Sequence, residues 1–83
     1  MTQVEFQYNG VSTIIQCQEN QKMSEICNNF ISKSHLNENE INYFYDGKGG
    51  SQFAENIDLI PRGWLKNKGT SQKKIFCENL PYY

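Results

Sequence analysis

The chain begins with strict alternation of apolar and polar residues, Val4-Glu5-Phe6-Gln7-Tyr8. It meets Asn9-Gly10 and resumes with Val11-Ser12-Thr13-Ile14-Ile15-Gln16-Cys17. Alternation of this kind predicts a half-buried strand. Asn-Gly between two such runs predicts a two-residue hairpin, because both central residues of a type I′ turn need positive φ. That turn sets a register: Tyr8 opposite Val11, Phe6 opposite Thr13, Val4 opposite Ile15, with Cys17 continuing the same face. Glu5, Gln7, Ser12 and Gln16 fall on the other face, where Ile14 is the apolar exception.

After a polar stretch over 18–22 the period changes. Met23, Ile26, Cys27, Phe30 and Ile31 follow helical spacing and predict an amphipathic helix of about three turns. Glu25, Asn28, Asn29, Ser32 and Lys33 lie opposite the stripe. Asn20 or Ser24 could cap its start, and its end falls near Ser34-His35. A polar connection over 36–40 leads to a third strand, Ile41-Asn42-Tyr43-Phe44-Tyr45, with Asp46-Gly47 as its turn. Ile41, Tyr43 and Tyr45 share one face and Phe44 points to the other.

Residues 48–72 are punctuated by Gly49, Gly50, Pro61, Gly63 and Gly69, yet contain Phe53, Ile57, Leu59, Ile60, Trp64 and Leu65. This is too apolar for a loose linker. It predicts an irregular crossover covering one edge of the core, with a helical turn around Ala54–Asp58 and a short strand near Trp64-Leu65. The run Lys73–Leu80 is the last strand. Ile75 and Cys77 face inward and Phe76 outward, or the reverse.

A three-turn helix with one apolar stripe must bury it. The large apolar surface on offer is the inward face Val4, Phe6, Thr13, Ile15, Cys17, Tyr43, Ile75 and Cys77. The predicted fold is therefore α+β: a mixed four- to five-stranded sheet with one helix packed across one face, its first and last strands parallel at the centre. Over roughly residues 3–80 this order resembles the ubiquitin-like β-grasp family. The resemblance is carried by the hairpin through Asn9-Gly10, the stripe Met23, Ile26, Phe30, the strand and turn Tyr43-Phe44-Tyr45-Asp46-Gly47-Lys48, and the closing strand Lys73–Glu78.

Length agrees with one domain: 83 residues are read as a single unit over 1–83, with 81–83 as a flexible tail. No apolar run approaches the ~20 residues of a membrane span. The opening Met1–Glu5 lacks the basic and apolar regions of a signal peptide. Three cysteines, Cys17, Cys27 and Cys77, are an odd count without C-x-x-C spacing, which argues against a disulfide framework or a zinc site and for reduced, buried thiols. Together these features point to a cytoplasmic or nuclear protein. Ten Asn and seven Gln are spread through patterned elements and form no low-complexity tract.

Candidate chemistry is sparse. The single histidine, His35, sits at the predicted helix end, where a cation is favourable. Glu38 and Glu40 are too few carboxylates for calcium. Gly47-Lys48-Gly49-Gly50 lacks phosphate-loop spacing. The reading is a non-enzyme without cofactor or metal. The formal net charge of -1 gives no general attraction to nucleic acid, although Arg62, Lys66, Lys68, Lys73 and Lys74 form an acid-free stretch around Trp64.

What remains is a set of outward apolar residues, Ile14, Phe44 and Phe76, on the sheet face without a helix. The family resemblance puts Phe44 at the centre of the main recognition patch of ubiquitin, and makes the third and last strands neighbours. The expected function is a monomeric protein–protein interaction module. Phe44, Phe76 and Ile14 would make the apolar contacts, and Lys48, Lys73 and Lys74 would form a basic rim for an acidic partner from a ubiquitin pathway or an assembly. The alternative is that Trp64 or another part of the crossover folds over the rings. Two further readings are a conjugated modifier released by C-terminal processing, against which the ending Leu80-Pro81-Tyr82-Tyr83 speaks by lacking terminal Gly-Gly, and a small structural subunit of a larger assembly.

Overall fold

The computed structural model describes residues 2–47, 50–54, 57–60, 63–66 and 73–79. The hairpin forms as its turn dictates. Strand β1 (Thr2–Tyr8) and strand β2 (Val11–Cys17) pair antiparallel, with Tyr8 opposite Val11, Phe6 opposite Thr13 and Val4 opposite Ile15. Asn9 and Gly10 have φ of 50° and 77°, the positive values that a type I′ turn demands and that Asn and Gly tolerate.

Helix α1 (Met23–Ser34) buries Met23, Ile26, Cys27 and Phe30, the residues of the predicted stripe. Its N-cap is Lys22, which makes no side-chain capping bond, so neither Asn20 nor Ser24 takes that role. One orphan donor of the first turn is met from elsewhere: the Ser24 N–H donates to Asp58 Oδ1 at 3.2 Å. A residue of the crossover thus adds a capping carboxylate to the Glu25 of the first turn, at the end where the helix dipole favours negative charge. At the other end His35 adopts the left-handed conformation, φ 56°. The N–H groups of His35 and Leu36 both reach the Ile31 carbonyl, closing the helix as a Schellman-type cap does.

A 3₁₀ turn at Glu38–Glu40 leads into strand β3 (Ile41–Gly47). Asp46 and Gly47 belong to this strand, of which Gly47 is the last residue. After the connection at 48 and 49, which lies outside the described residues, strand β4 (Gly50–Phe53) returns antiparallel along β3. The sequence pattern did not predict β4, a four-residue strand with glycine at its start and only one apolar side chain. Of the helical turn expected around Ala54–Asp58, a 3₁₀ turn at Ile57–Leu59 is seen among the described residues. One further expectation is corrected: Trp64-Leu65 is not a strand but part of a single helical turn, α2 (Gly63–Lys66). The final strand, β5, spans Lys74–Asn79.

The five strands lie in the order β2-β1-β5-β3-β4. β5 is parallel to β1 and antiparallel to β3, so the chain's two ends meet at the sheet centre. This is a mixed five-stranded sheet with one helix packed across it, an α+β fold of β-grasp type. Phe6 on β1 and Phe30 on α1 stack with ring centroids 4.4 Å apart and planes 5° from parallel. Around them Val4, Ile26, Ile75 and Cys27 are fully buried. The crossover contributes Ala54, Ile60, Trp64 and Leu65 to the same cluster, in keeping with its apolar character. The Trp64 ring meets Tyr45 edge-on at 6.3 Å, and its Nε1–H donates to the Asp46 carbonyl at 2.5 Å. Among the described residues no helix is long and apolar enough to cross a membrane.

Two outcomes follow. Phe30→Ala empties half of the central ring pair and should cost about 3–5 kcal/mol, enough to leave a domain of this size largely unfolded; urea denaturation followed by circular dichroism reads it. Asp58→Ala removes a cap that acts across the chain and should cost about 1 kcal/mol. Early loss of amide protection in the first turn of α1, with the sheet amides unchanged, would distinguish capping from general destabilisation.

Candidate functional site

Alternation along the five strands divides their side chains between two faces. The helix side takes Val4, Phe6, Ile15, Cys17, Ile41, Tyr43, Ile75 and Cys77, all buried. The other side takes Gln7, Phe76, Phe44 and Phe53, which the strand pairings align: Gln7 opposite Phe76, Phe76 opposite Phe44, Phe44 opposite Phe53. Of the two orientations open for the last strand, the one with Ile75 and Cys77 inward is realised. The result is a row of three phenylalanines across β5, β3 and β4. The Phe44 and Phe53 rings are in contact, centroids 5.4 Å apart and tilted by 51°. Phe44 and Phe76 are half-buried, and Phe53 is 52% exposed.

The alternative in which Trp64 covers this row does not hold. Trp64 packs on Tyr45, on the helix side of the sheet, and is buried in the main core. Burial also removes its ring as a platform on which a nucleic-acid base could stack.

The remaining sequence-derived site residues distribute unevenly. Lys74 lies on the helix-free face next to the row, with its Nζ 3.7 Å from Glu5 Oε2. The same carboxylate oxygen accepts from Gln7 Nε2 at 2.8 Å. This polar strip across β1 and β5 borders the phenylalanines on one side. Lys73 precedes β5, and its carbonyl accepts the Glu5 N–H at 2.8 Å. Its charge is felt by the Cys17 thiol on the helix side. Ile14 shares the face and is 38% exposed. It sits on β2, however, paired with Glu5, two strands or roughly 10 Å from Phe76 and behind the Glu5–Lys74 pair. The structure therefore brings Phe44, Phe76 and Lys74 together and leaves Ile14 apart. Lys48, Arg62, Lys68 and the tail 81–83 lie outside the described residues, and the side chain of Lys66 is not described.

Phe53 is the residue that the sequence reading missed. Its signal was present but short. A strand ending in Phe44-Tyr45-Asp46-Gly47, followed by Gly50-Ser51-Gln52-Phe53, permits an antiparallel return that sets Phe53 against Phe44.

Nucleophilic chemistry has little support among the described residues. Cys17, Cys27 and Cys77 are all buried and form no disulfide with one another. Burial pushes the Cys77 thiol up to about 12 and raises that of Cys17, against which Lys73 acts only in part. A thiolate nucleophile needs the opposite environment. No cluster of three metal-ligating side chains occurs among the described residues. The Asn37–Glu40 turn is held by its own bonds: the Asn39 N–H donates to Asn37 Oδ1 at 3.1 Å, and the Glu40 N–H to the Asn37 carbonyl at 3.0 Å.

Comparison of the chain with protein-family models and with curated proteins gives no match.

The thiol environment makes a pH prediction. A buried thiol whose folded pKa is raised stays neutral in the native state while the unfolded chain ionises near 9.0. Its contribution to stability is complete below that value and falls as pH rises from there towards about 12. Urea midpoints measured from pH 7 to 11 should decline above pH 9, and Cys77→Val should flatten the decline. An equal decline in the variant would assign it to other groups.

Proposed function

We propose that the chain is a non-enzymatic, ubiquitin-like protein-interaction module that binds through its helix-free sheet face. The observation that carries this reading is the phenylalanine row Phe76–Phe44–Phe53. Lone exposed apolar side chains are ordinary, but three aligned aromatics on the helix-free sheet face are the kind of patch that marks a binding surface. Aromatic side chains set in a flat surface are the usual centres of interface energy, since they desolvate large areas at small entropic cost. The partner best suited is an amphipathic helix. Its apolar stripe would lie along the row, and its acidic side would meet Lys74, whose Nζ–carboxylate distance to Glu5 of 3.7 Å makes a loose, exchangeable pair. The ubiquitin-like family assignment is part of this proposal and rests on the element order and the sheet topology.

The test is an amide NMR titration of the labelled chain with an acidic amphipathic helical peptide. The expected shifts cluster on Phe44, Phe53 and Phe76 and their neighbours. Phe53→Ser should weaken binding at least tenfold, about 1.4 kcal/mol, while leaving the thermal midpoint nearly unchanged because the ring is largely exposed. Phe44→Ala should weaken binding as well, with a modest loss of stability. Shifts confined to α1, or full affinity in Phe53→Ser, would sink this reading.

A further inference from the structure

The phenylalanine row leaves Ile14 unexplained, and with it the whole outer edge of β2. The two edges of the sheet differ. β4 is four residues long. β2 is seven residues long, contains no charged residue and no proline, and reads Val11-Ser12-Thr13-Ile14-Ile15-Gln16-Cys17. Val11 is 63% and Ile14 38% exposed. Edge strands are normally blunted by charge, proline or shortness, because their unpaired backbone groups are templates for another strand.

Which backbone groups face outward follows from the hairpin. In a two-residue turn the pair beside the loop, Tyr8–Val11, exchanges hydrogen bonds. Strict alternation then makes Phe6–Thr13 and Val4–Ile15 bonded pairs and Glu5–Ile14 a non-bonded one. The Glu5 N–H indeed points away from β2, donating to the Lys73 carbonyl at 2.8 Å. Ser12, Ile14 and Gln16 therefore turn their N–H and C=O groups to the open edge. Among the described residues one side chain is seen there: Lys33 of α1 donates from Nζ to the Ile14 carbonyl at 3.3 Å.

We propose that this edge is a strand-addition surface whose occupant is β2 of a second copy of the chain, paired antiparallel about a two-fold axis at Ile14, with Lys33 as a competing latch on the Ile14 carbonyl. The occupant is argued from charge and register. Antiparallel self-pairing sets Ile14 against Ile14 and Ser12 against Gln16 of the copy, on the helix-free face. With no charge anywhere in the strand, no like charges are opposed. The outward groups of Ser12, Ile14 and Gln16 then form about six hydrogen bonds across the axis, and the sheet continues through ten strands. Lys33 must release Ile14 for this to happen, so association is weak and tunable. The proposal departs from the monomer expected of the sequence and is independent of the phenylalanine row.

Sedimentation velocity on the whole chain tests it. The unaltered chain should show an average mass that rises reversibly with concentration. Lys33→Met keeps the apolar stem and removes the latch, and should tighten association about tenfold. Ile14→Lys and Ile14→Glu, each altering an exposed side chain, should be monomeric alone and dimeric when mixed one to one, since the register puts the two positions face to face. Amide exchange on the unaltered chain gives a second readout that needs no variant. On concentration the Ser12, Ile14 and Gln16 amides should gain protection, whereas Thr13 and Ile15, already bonded to β1, should not. A mixture that stays monomeric, or protection gained equally by Thr13 and Ile15, would overturn the proposal. So would a monomer at every concentration in both the unaltered chain and Lys33→Met.

Discussion

The stack of Phe30 on Phe6 is the contact on which the rest of this small domain depends. It joins the one long helix to a central strand, and both rings are fully excluded from water. A domain of this size has few core residues to spare, and here the sheet, the helix and the crossover are all arranged around that pair. β1 is held on one side by β2 and on the other by β5. Whatever fixes the helix over β1 therefore fixes the centre of the sheet. The long-range parallel pairing of β1 with β5 brings together segments about seventy residues apart (Glu5 with Lys74). Its loop-closure cost is offset by the burial of Ile75 and Cys77 against the same cluster.

Covering one face of the sheet leaves the other open. On β3 and β5 the helix-side residues Ile41, Tyr43, Ile75 and Cys77 are buried, so Phe44 and Phe76, lying between them in sequence, must emerge on the far side. Trp64 reinforces this division. Its indole sits against Tyr45 and bonds to a β3 carbonyl, and the described crossover residues Ile60, Trp64 and Leu65 join the core on the helix side. The row is therefore a consequence of strand alternation, and the Trp64 indole is kept off it by packing on the helix side.

The polar strip of Gln7, Glu5 and Lys74 divides the helix-free face into two unequal parts. On one side lie aromatic rings on three strands. On the other lies Ile14, on the edge strand β2, with Lys33 bonded to its carbonyl. Two surfaces of different chemistry thus share one sheet: one suited to side-chain contact across the face, the other to backbone hydrogen bonding in its plane.

Local pattern by itself determined the hairpin, its turn type and its register, because Asn9-Gly10 and strict alternation act over a few residues and agree with each other. It also determined the buried stripe of α1, the helix end near His35, the burial of the three cysteines and the outward placement of Phe44. Tertiary structure decided the rest. β4 was invisible because a four-residue strand with one apolar side chain has no period to read; it exists because β3 offers it an edge. Trp64-Leu65 looked like a strand as an isolated apolar pair, and became helical where a single turn could drive both side chains into the core. The cap of α1 was sought at Asn20 or Ser24 and is supplied by Asp58, 34 residues beyond Ser24, which no local rule can anticipate. The same holds for the candidate site. Phe44 was legible as an outward residue and Phe76 in one of two orientations, but their alignment with Phe53, and the separation of Ile14 from them, arise from strand order. Strand order is set by which distant segments bury the most apolar surface together.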